Sequence, residues 1–218
     1  MSALVKICGL AEVDSLDAAV EAGADFVGFV FHPKSPRAIL PEAAAELADA
    51  LPSEVRKVGL FVDPTDDDLV AVLAHLRLDM LQLHGAETPA RVDAVRLEFG
   101  LPVIKAVGIS TAADVAAAHA YDDHADWLLF DAKPPVDADR PGGLGQPFPW
   151  ELMRGWNGET PWMLAGGLTP ENVAAAISAS GAGAVDVSSG VERAVGVKDP
   201  ARIAAFIKAA KSAGAGRW

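Results

Sequence analysis

The sequence contains a single cysteine, Cys8, among its 218 residues. A lone cysteine cannot form a disulfide within the chain, and it offers no cysteine pair for a structural zinc site. The five histidines show no HExxH spacing, so we predict no metal site. The amino-terminal segment MSALVKICGL reaches polar residues too soon for a signal peptide, and we expect a reducing, cytoplasmic environment.

Positive charge is also scarce. Lysine and arginine number 18 against 30 acidic residues, which gives a formal net charge of −12 and a pI near 4.7. This balance opposes binding to nucleic acid or to an anionic membrane surface, because both require a basic patch. No apolar run approaches the ~18 residues of a membrane span. An anionic ligand must therefore be held by a local site that works against the overall negative field.

Short β-branched or aromatic runs alternate with longer Ala-rich segments of helical period. This alternation is typical of βαβ units and a parallel sheet. Eight such units of similar length predict one α/β domain over residues 1–218, a (β/α)8 TIM barrel. The predicted strands are 3–8, 25–30, 55–61, 79–84, 102–107, 126–131, 161–165 and 184–188, each followed by a helix.

An open, doubly wound sheet is the alternative architecture. It usually carries a GxGxxG turn after its first strand, and residues 8–12 read CGLAE instead. Residues that start or stop helices support the barrel units: Gly23 should end the first helix, while Pro41, Thr88-Pro89 and Thr169-Pro170 should begin later ones. The sixth loop, 133–149, is rich in proline and glycine and is predicted to be an active-site lid.

Polar side chains occur at the ends of four predicted strands with the same, inward parity. In a barrel these positions surround the active face. Several of these side chains also have a purely structural interpretation. Cys8 could be a small buried thiol, Asp131 a loop cap, His84 a core histidine, and Lys6 a lysine that neutralises an interior acid. Four strands that place reactive groups at one rim nevertheless indicate a functional site, because such groups are costly to bury. The residues are Lys6, Cys8, Gln82, His84, Asp131 and Asp186.

Two glycine-containing turns follow the last two strands. Gly166 and Gly167 end the seventh strand, and Ser188, Ser189 and Gly190 end the eighth, before a possible short helix. In TIM barrels such neighbouring turns often bind phosphate through exposed backbone N–H groups and a helix N-terminus. Simple tight turning is the structural alternative.

These motifs, in this order, resemble the phosphoribosylanthranilate isomerase family over essentially the whole chain. The matching segments include KICGL at 6–10, GFVF at 28–31, KSPR at 34–37, LQLHG at 81–85, Asp131, AGGL at 165–168 and DVSSGVE at 186–192. The resemblance implies an isomerase of tryptophan biosynthesis that converts N-(5-phosphoribosyl)anthranilate to 1-(2-carboxyphenylamino)-1-deoxyribulose 5-phosphate. It implies no cofactor, because the imine of the substrate itself activates the neighbouring C–H bond.

The resemblance also implies roles for individual residues. Cys8 would be the general base and Asp131 the general acid, while Arg37 would clamp the anthranilate carboxylate or, alternatively, stabilise the lid. Gln82, His84 and Lys6 would line the substrate pocket. The two glycine turns, Gly166-Gly167 and Ser188-Ser189-Gly190, would bind the 5-phosphate.

The implied chemistry requires a protonated Asp131 and a Cys8 thiolate near neutral pH. We expect apolar neighbours of Asp131, namely Trp127, Leu129 and the lid, to raise its pKa, and Lys6 or a bound imine to favour the thiolate. Two departures from the family pattern are Leu144, in place of a threonine, and Ala11, also in place of a threonine. They concern contacts of the lid rather than the acid–base pair.

Other functions remain open at this stage. A different phosphosugar isomerase or epimerase would carry paired aspartates or metal-binding histidines, and a non-catalytic barrel would need the glycine turns but not the acid–base pair. A protein of purely structural role would expose an apolar stripe rather than a polar rim. The expected partner is a small phosphorylated aminosugar, and the protein itself would be a monomer or a homodimer.

Overall fold

The computed structural model describes residues 2–133 and 147–214. Eight parallel strands form a closed barrel in sequential order, with the last strand paired to the first, so the predicted TIM barrel is confirmed. Most of the predicted lid, including Leu144, lies outside the described residues. The strands are β1 (Leu4–Cys8), β2 (Phe26–Val30), β3 (Arg56–Phe61), β4 (Met80–Leu83), β5 (Val103–Ile109), β6 (Trp127–Ala132), β7 (Trp162–Leu164) and β8 (Ala184–Val187).

Helices connect the strands on the outside of the barrel. They are α1 (Val13–Glu21), α2 (Pro41–Asp49), α3 (Asp66–Leu73), α4 (Pro89–Phe99), α5 (Ala112–Ala118), α6 (Val173–Ser180) and α7 (Pro200–Ser212). Between β6 and β7 the described residues contain a 3-10 helix, Trp150–Gly155, and not the α-helix that we expected there. None of the described helices is long and apolar enough to cross a membrane.

A short helix and a small ribbon lie between β8 and α7. The possible short helix is present as a 3-10 helix, Ser189–Val191. It is followed by an antiparallel ribbon of two short strands, β9 (Glu192–Ala194) and β10 (Val197–Lys198), which the sequence analysis did not predict. This ribbon precedes α7 and, as described below, brings two buried charges to the site.

The helix starts at Pro41 and at Thr88-Pro89 are confirmed, and Gly23 lies just beyond the end of α1. The predicted start at Thr169-Pro170 is wrong, because α6 begins at Val173 with Asn172 as its N-cap. The Asn172 side chain accepts a hydrogen bond from the Thr169 N–H and donates one to the Gly167 carbonyl. These two bonds hold residues 167–172 in a turn that delays the helix.

Side chains of each strand alternate between the barrel interior and the layer under the helices. Val5 and Ile7 of β1 belong to the large outer core, whereas Phe26, Leu129 and Met163 belong to a separate core inside the barrel. Burial of both faces accounts for the apolar character of the strands. Because the alternation holds, the polar residues that share a parity with Leu129 or Met163 are directed inward.

Lys105 is an exception to the apolar outer layer. Its neighbours Ile104 and Ala106 belong to the inner core, so its own side chain lies on the outer side of β5. Its ammonium group is 2.7 Å from Glu87 Oε2, and both side chains are almost fully buried. The Glu87 carboxylate also accepts hydrogen bonds from the N–H groups of Asp63 and Gly85, so the pair joins the loops after β3 and β4.

We expect Lys105→Met to lower the free energy of unfolding by about 3–5 kcal/mol, because it leaves the Glu87 carboxylate buried without its cation. The double variant Lys105→Met/Glu87→Gln, which removes both charges, should recover a large part of that loss. Urea-induced unfolding measures both values, with the exposed Lys208→Met as the matched control. A double variant as unstable as the single one would contradict this account.

Candidate active site at the barrel mouth

The Cys8 side chain lies at the carboxyl end of β1 in a buried, charged environment. Lys6, one inward position below it, is fully buried, and its Nζ lies 2.8 Å from Asp186 Oδ1 on β8. A Cβ atom on Gly28 would lie 3.0 Å from Cys8 Sγ and 3.3 Å from Lys6 Nζ, so glycine at this position leaves room for the thiol. Lys6 and Cys8 therefore lie on the same face of β1, as predicted, and the interior acid beside Lys6 is Asp186.

The charges around Cys8 act in opposite directions. Burial raises the pKa of the Cys8 thiol, the nearby ammonium groups of Lys6 and Lys198 lower it, and the net result is a pKa above the ordinary value. Burial lowers the pKa of Lys6, but the negative charges of Asp186 and Cys8 raise it by a larger amount. The pKa of Lys6 therefore also lies above its ordinary value. The expectation that Lys6 favours the thiolate is correct in direction, but burial outweighs Lys6, so the neutral thiol is the resting form at neutral pH.

A second cluster lies at the ends of β4 and β6. Gln82 Nε2 is 2.9 Å from His84 Nδ1, and His84 Nε2 is 3.3 Å from Asp131 Oδ2. The other carboxylate oxygen, Asp131 Oδ1, accepts a hydrogen bond from the Ala132 N–H at 2.8 Å. When the Gln82 amide donates to Nδ1, the neutral imidazole carries its proton on Nε2, which faces Asp131.

Of the described residues predicted to form an apolar environment for Asp131, one lies near it and one does not. Trp127 is at the opposite end of β6, where its ring packs edge-to-face against Phe26 with ring centroids 5.8 Å apart. Its predicted influence on Asp131 is therefore wrong. Leu129 is buried in the inner core, two residues below Asp131 on the same face. Among the described residues, the polar contacts of the carboxylate are His84 and the Ala132 N–H. The predicted contribution of the lid falls on residues outside the described ranges.

Arg37 lies in the loop after β2 and is held by a residue that sequence reasoning missed. Its Nε and Nη2 atoms donate to the two carboxylate oxygens of Glu192, at 2.6 and 3.0 Å. Both side chains are nearly buried, with exposed fractions of 6% and 5%. Within residues 2–133 and 147–214, Arg37 Nη1 has no hydrogen-bond partner.

Lys198 on β10 is the second missed residue. Its Nζ contacts Glu192 Oε1 at 3.0 Å and the Ser188 carbonyl and hydroxyl oxygens at 2.9 and 3.1 Å. The Ser188 hydroxyl donates in turn to the Cys8 carbonyl oxygen. Since that hydroxyl is used within the protein, the predicted phosphate contact of Ser188 would be made through its backbone N–H.

The two glycine turns lie against each other. A Cβ atom on Gly190 would lie 1.8 Å from the Leu168 carbonyl oxygen, so a side chain there would separate the turns. In the described part of the chain, the N–H groups of Gly166, Gly167, Ser189 and Gly190 donate no hydrogen bond. Unpaired amides on adjacent turns are the arrangement that binds anions in nests and at helix N-termini of other proteins.

The arrangement thus provides a thiol, a carboxylate with a histidine, a guanidinium and a set of free amides around one barrel mouth. Within the described residues, no cluster of three or more His, Cys, Asp or Glu side chains is arranged to hold a metal ion. This set of groups is suited to acid–base chemistry on a ligand with anionic groups.

A family model described as N-(5'phosphoribosyl)anthranilate (PRA) isomerase matches residues 5–209. The relative named N-(5'-phosphoribosyl)anthranilate isomerase in Rhodospirillum rubrum is 58% identical over 212 residues, which cover 95% of this chain and 97% of the relative.

Solved structures show the same similarity. A crystal structure of phosphoribosyl anthranilate isomerase from Thermotoga maritima matches with a TM-score of 0.85 and 40% identity, covering 96% of this chain and 99% of that one. A second crystal structure, of phosphoribosyl anthranilate isomerase in complex with reduced 1-(o-carboxyphenylamino)-1-deoxyribulose 5-phosphate, matches with a TM-score of 0.81 and 37% identity, again covering 96% of this chain and 99% of that one.

Titration of the thiol tests the electrostatics around Cys8. We expect the wild-type thiol to titrate above the ordinary cysteine range of about 8.5. The double variant Lys6→Met/Asp186→Asn should titrate higher still, because Lys6 lowers the thiol pKa more than Asp186 raises it. Removing both partners avoids leaving a buried charge unpaired.

Ultraviolet absorbance of the thiolate gives the midpoint directly, since the chain has one cysteine and Cys8→Ser supplies the blank. A wild-type midpoint below about 8.5 would overturn this picture of the site, as would a lower midpoint in the double variant.

Proposed function

The chain belongs to the N-(5'-phosphoribosyl)anthranilate isomerase family, and from this premise we propose that its barrel mouth performs the reaction with Cys8 as general base and Asp131 as general acid. The enzyme converts N-(5-phosphoribosyl)anthranilate to 1-(2-carboxyphenylamino)-1-deoxyribulose 5-phosphate in tryptophan biosynthesis. One observation carries the residue roles: a buried thiol beside an ammonium group and a carboxylate beside a histidine end strands β1 and β6 at one mouth.

The first step opens the sugar ring. Asp131 in its acid form gives a proton to the ring oxygen, the bond between that oxygen and C1′ breaks, and the anthranilate nitrogen forms a Schiff base with C1′. His84 lies 3.3 Å from Asp131 and therefore can supply a proton to the carboxylate or hold it in place. We assign His84 this supporting role in addition to its predicted contact with the substrate.

The second step moves the double bond. The Cys8 thiolate takes the proton from C2′, the C–H electrons form a C1′–C2′ double bond, and the electrons of the imine return to nitrogen. The enolamine then tautomerises to the ketone. Because burial holds the pKa of the Cys8 thiol above its ordinary value, the thiol must first release its proton to solvent. The positively charged Schiff base that forms on ring opening favours the resulting thiolate in the same way as Lys6.

The remaining residues bind the ends of the substrate. Gln82 Oε1 is buried without a partner in the described part of the chain, so a donor group of the substrate would satisfy it. The free Nη1 of Arg37 is available to the anthranilate carboxylate. The predicted contact of Lys6 with the substrate stays a prediction, because its Nζ binds Asp186 here.

The turns after β7 and β8 would bind the phosphate through the unpaired N–H groups of Gly166, Gly167, Ser189 and Gly190. Binding through backbone dipoles suits an acidic protein, because it requires no basic patch. We further propose a cytoplasmic location, which the free, buried Cys8 thiol supports. The expected monomer or homodimer stays a prediction.

The acid–base roles are tested by Cys8→Ala and Asp131→Asn. Each should lower kcat by about 100- to 10,000-fold, the usual contribution of a positioned acid or base, with a much smaller change in KM. Turnover is followed by the loss of fluorescence of substrate generated in place. Thermal unfolding and binding of the reduced product analogue establish that both variants are folded.

If either variant is folded and retains the wild-type kcat, the residue that it replaces is not the proposed acid or base. A folded wild-type protein without turnover would leave a phosphosugar-binding barrel of another purpose.

The phosphate site is tested by Ser189→Asp. A carboxylate placed beside the four free amides should either bind to them itself or repel the phosphate of the substrate. We therefore expect KM to rise about tenfold or more while kcat changes little. Ser189→Asn, of similar size and without charge, is the matched control. Equal KM values for the two variants would argue against phosphate binding at these turns.

A further inference from the structure

Three charged side chains form a buried cluster beside the mouth. The Glu192 carboxylate accepts hydrogen bonds from Arg37, from Lys198 and from the Gly196 N–H. The exposed fractions of the Arg37, Glu192 and Lys198 side chains are only 6%, 5% and 2%. We refer to these three residues as the Arg37 cluster.

The cluster contains two cationic side chains, Arg37 and Lys198, and only one carboxylate, that of Glu192. Arg37 alone compensates the charge of Glu192 through a bidentate contact, which is the favoured geometry of such a pair. A neutral pair would exert little attraction on an anion. Burial lowers the pKa of Lys198 below its ordinary value, although the Glu192 carboxylate acts in the opposite direction. Three oxygen acceptors, Glu192 Oε1 and both oxygens of Ser188, surround Nζ and favour its ammonium form, which brings the cluster to a net charge of about +1. Burying this third charge is costly unless it has a use.

Lys198 also connects the cluster to the strand of the general base. Its Nζ binds both oxygens of Ser188, whose hydroxyl donates to the Cys8 carbonyl oxygen. The lysine is therefore fixed between Glu192 and Ser188, and its charge acts from a defined position. Arg37 Nη1, free of partners in the described residues, is the group through which the cluster can meet a ligand.

We propose that Lys198 determines specificity by giving the Arg37 cluster its net positive charge, which makes the site select an aryl amine that carries a carboxylate. Lys198 acts through Glu192 and Arg37 and is a positioning residue that does not itself touch the substrate. The proposal rests on the proposed role of Arg37 as the carboxylate clamp.

The test compares two ligands that differ in one group. They are the reduced product analogue with its ortho-carboxylate and the same compound with an unsubstituted phenyl ring. For Lys198→Met, calorimetry should give a Kd about tenfold weaker for the carboxylate compound and within about twofold of wild type for the phenyl compound. The exposed Lys208→Met is the control and should change neither value.

A second variant separates charge from structure. Lys198→Met/Glu192→Gln removes one positive and one negative charge and leaves Arg37 with a net charge of about +1, so it should recover most of the preference for the carboxylate compound. Equal weakening of both ligands by Lys198→Met, or no recovery in the double variant, would overturn the proposal.

Arg37→Met distinguishes this proposal from the role of the clamp. Loss of the preference in Arg37→Met but not in Lys198→Met refutes the role of Lys198 and leaves the clamp in place. A preference that survives in Arg37→Met refutes the clamp itself, and the role of Lys198 with it.

Discussion

All groups of the site depend on the alternation of side chains along eight strands that close into a barrel. Closure leaves no free strand edge within the barrel, and parallel order brings all eight carboxyl ends to one mouth. The same faces that bury Phe26 and Leu129 in the interior therefore present Cys8 and Asp131 above them. A shift of one residue in β1 would bury Ile7 inside and turn the thiol toward the helices, so register and function are set together.

The interior of such a barrel admits charge only where each charge has a partner. Lys6 binds Asp186, Glu192 lies between Arg37 and Lys198, and the Asp131 carboxylate is held by His84 and a backbone N–H. Buried pairs of this kind add little net stability, because desolvation offsets most of their attraction. Their consequence is geometric: they fix reactive groups on different strands and set how readily the Cys8 proton can leave.

The sequence predicts the strands, the closed barrel and the inward residues well. Alternation with period two and the parity of residues at strand ends can both be read from neighbouring positions in the chain. Contacts between distant segments leave no such signal. Glu192 lies 155 positions from Arg37, in a ribbon too short to show periodicity, and its partner Lys198 lies in the same ribbon. The predicted influence of Trp127 on Asp131 failed for the opposite reason. The two residues are close in sequence, but four residues of extended strand separate them by roughly 13 Å.

The site handles the two proposed anionic groups of the substrate by different physical means. Backbone amides at the turns after β7 and β8 carry fixed partial charges that neither titrate nor distinguish one phosphorylated sugar from another. The Arg37 cluster depends on ionised side chains, whose balance can favour or reject a carboxylate. In a protein of net charge −12 both must act locally, because the overall field repels the ligand. On the proposed roles, the turns would supply affinity common to phosphorylated sugars, and discrimination among aryl amines would reside in the Arg37 cluster. Lys198 joins the two, because its ammonium group binds both oxygens of Ser188 in the turn after β8.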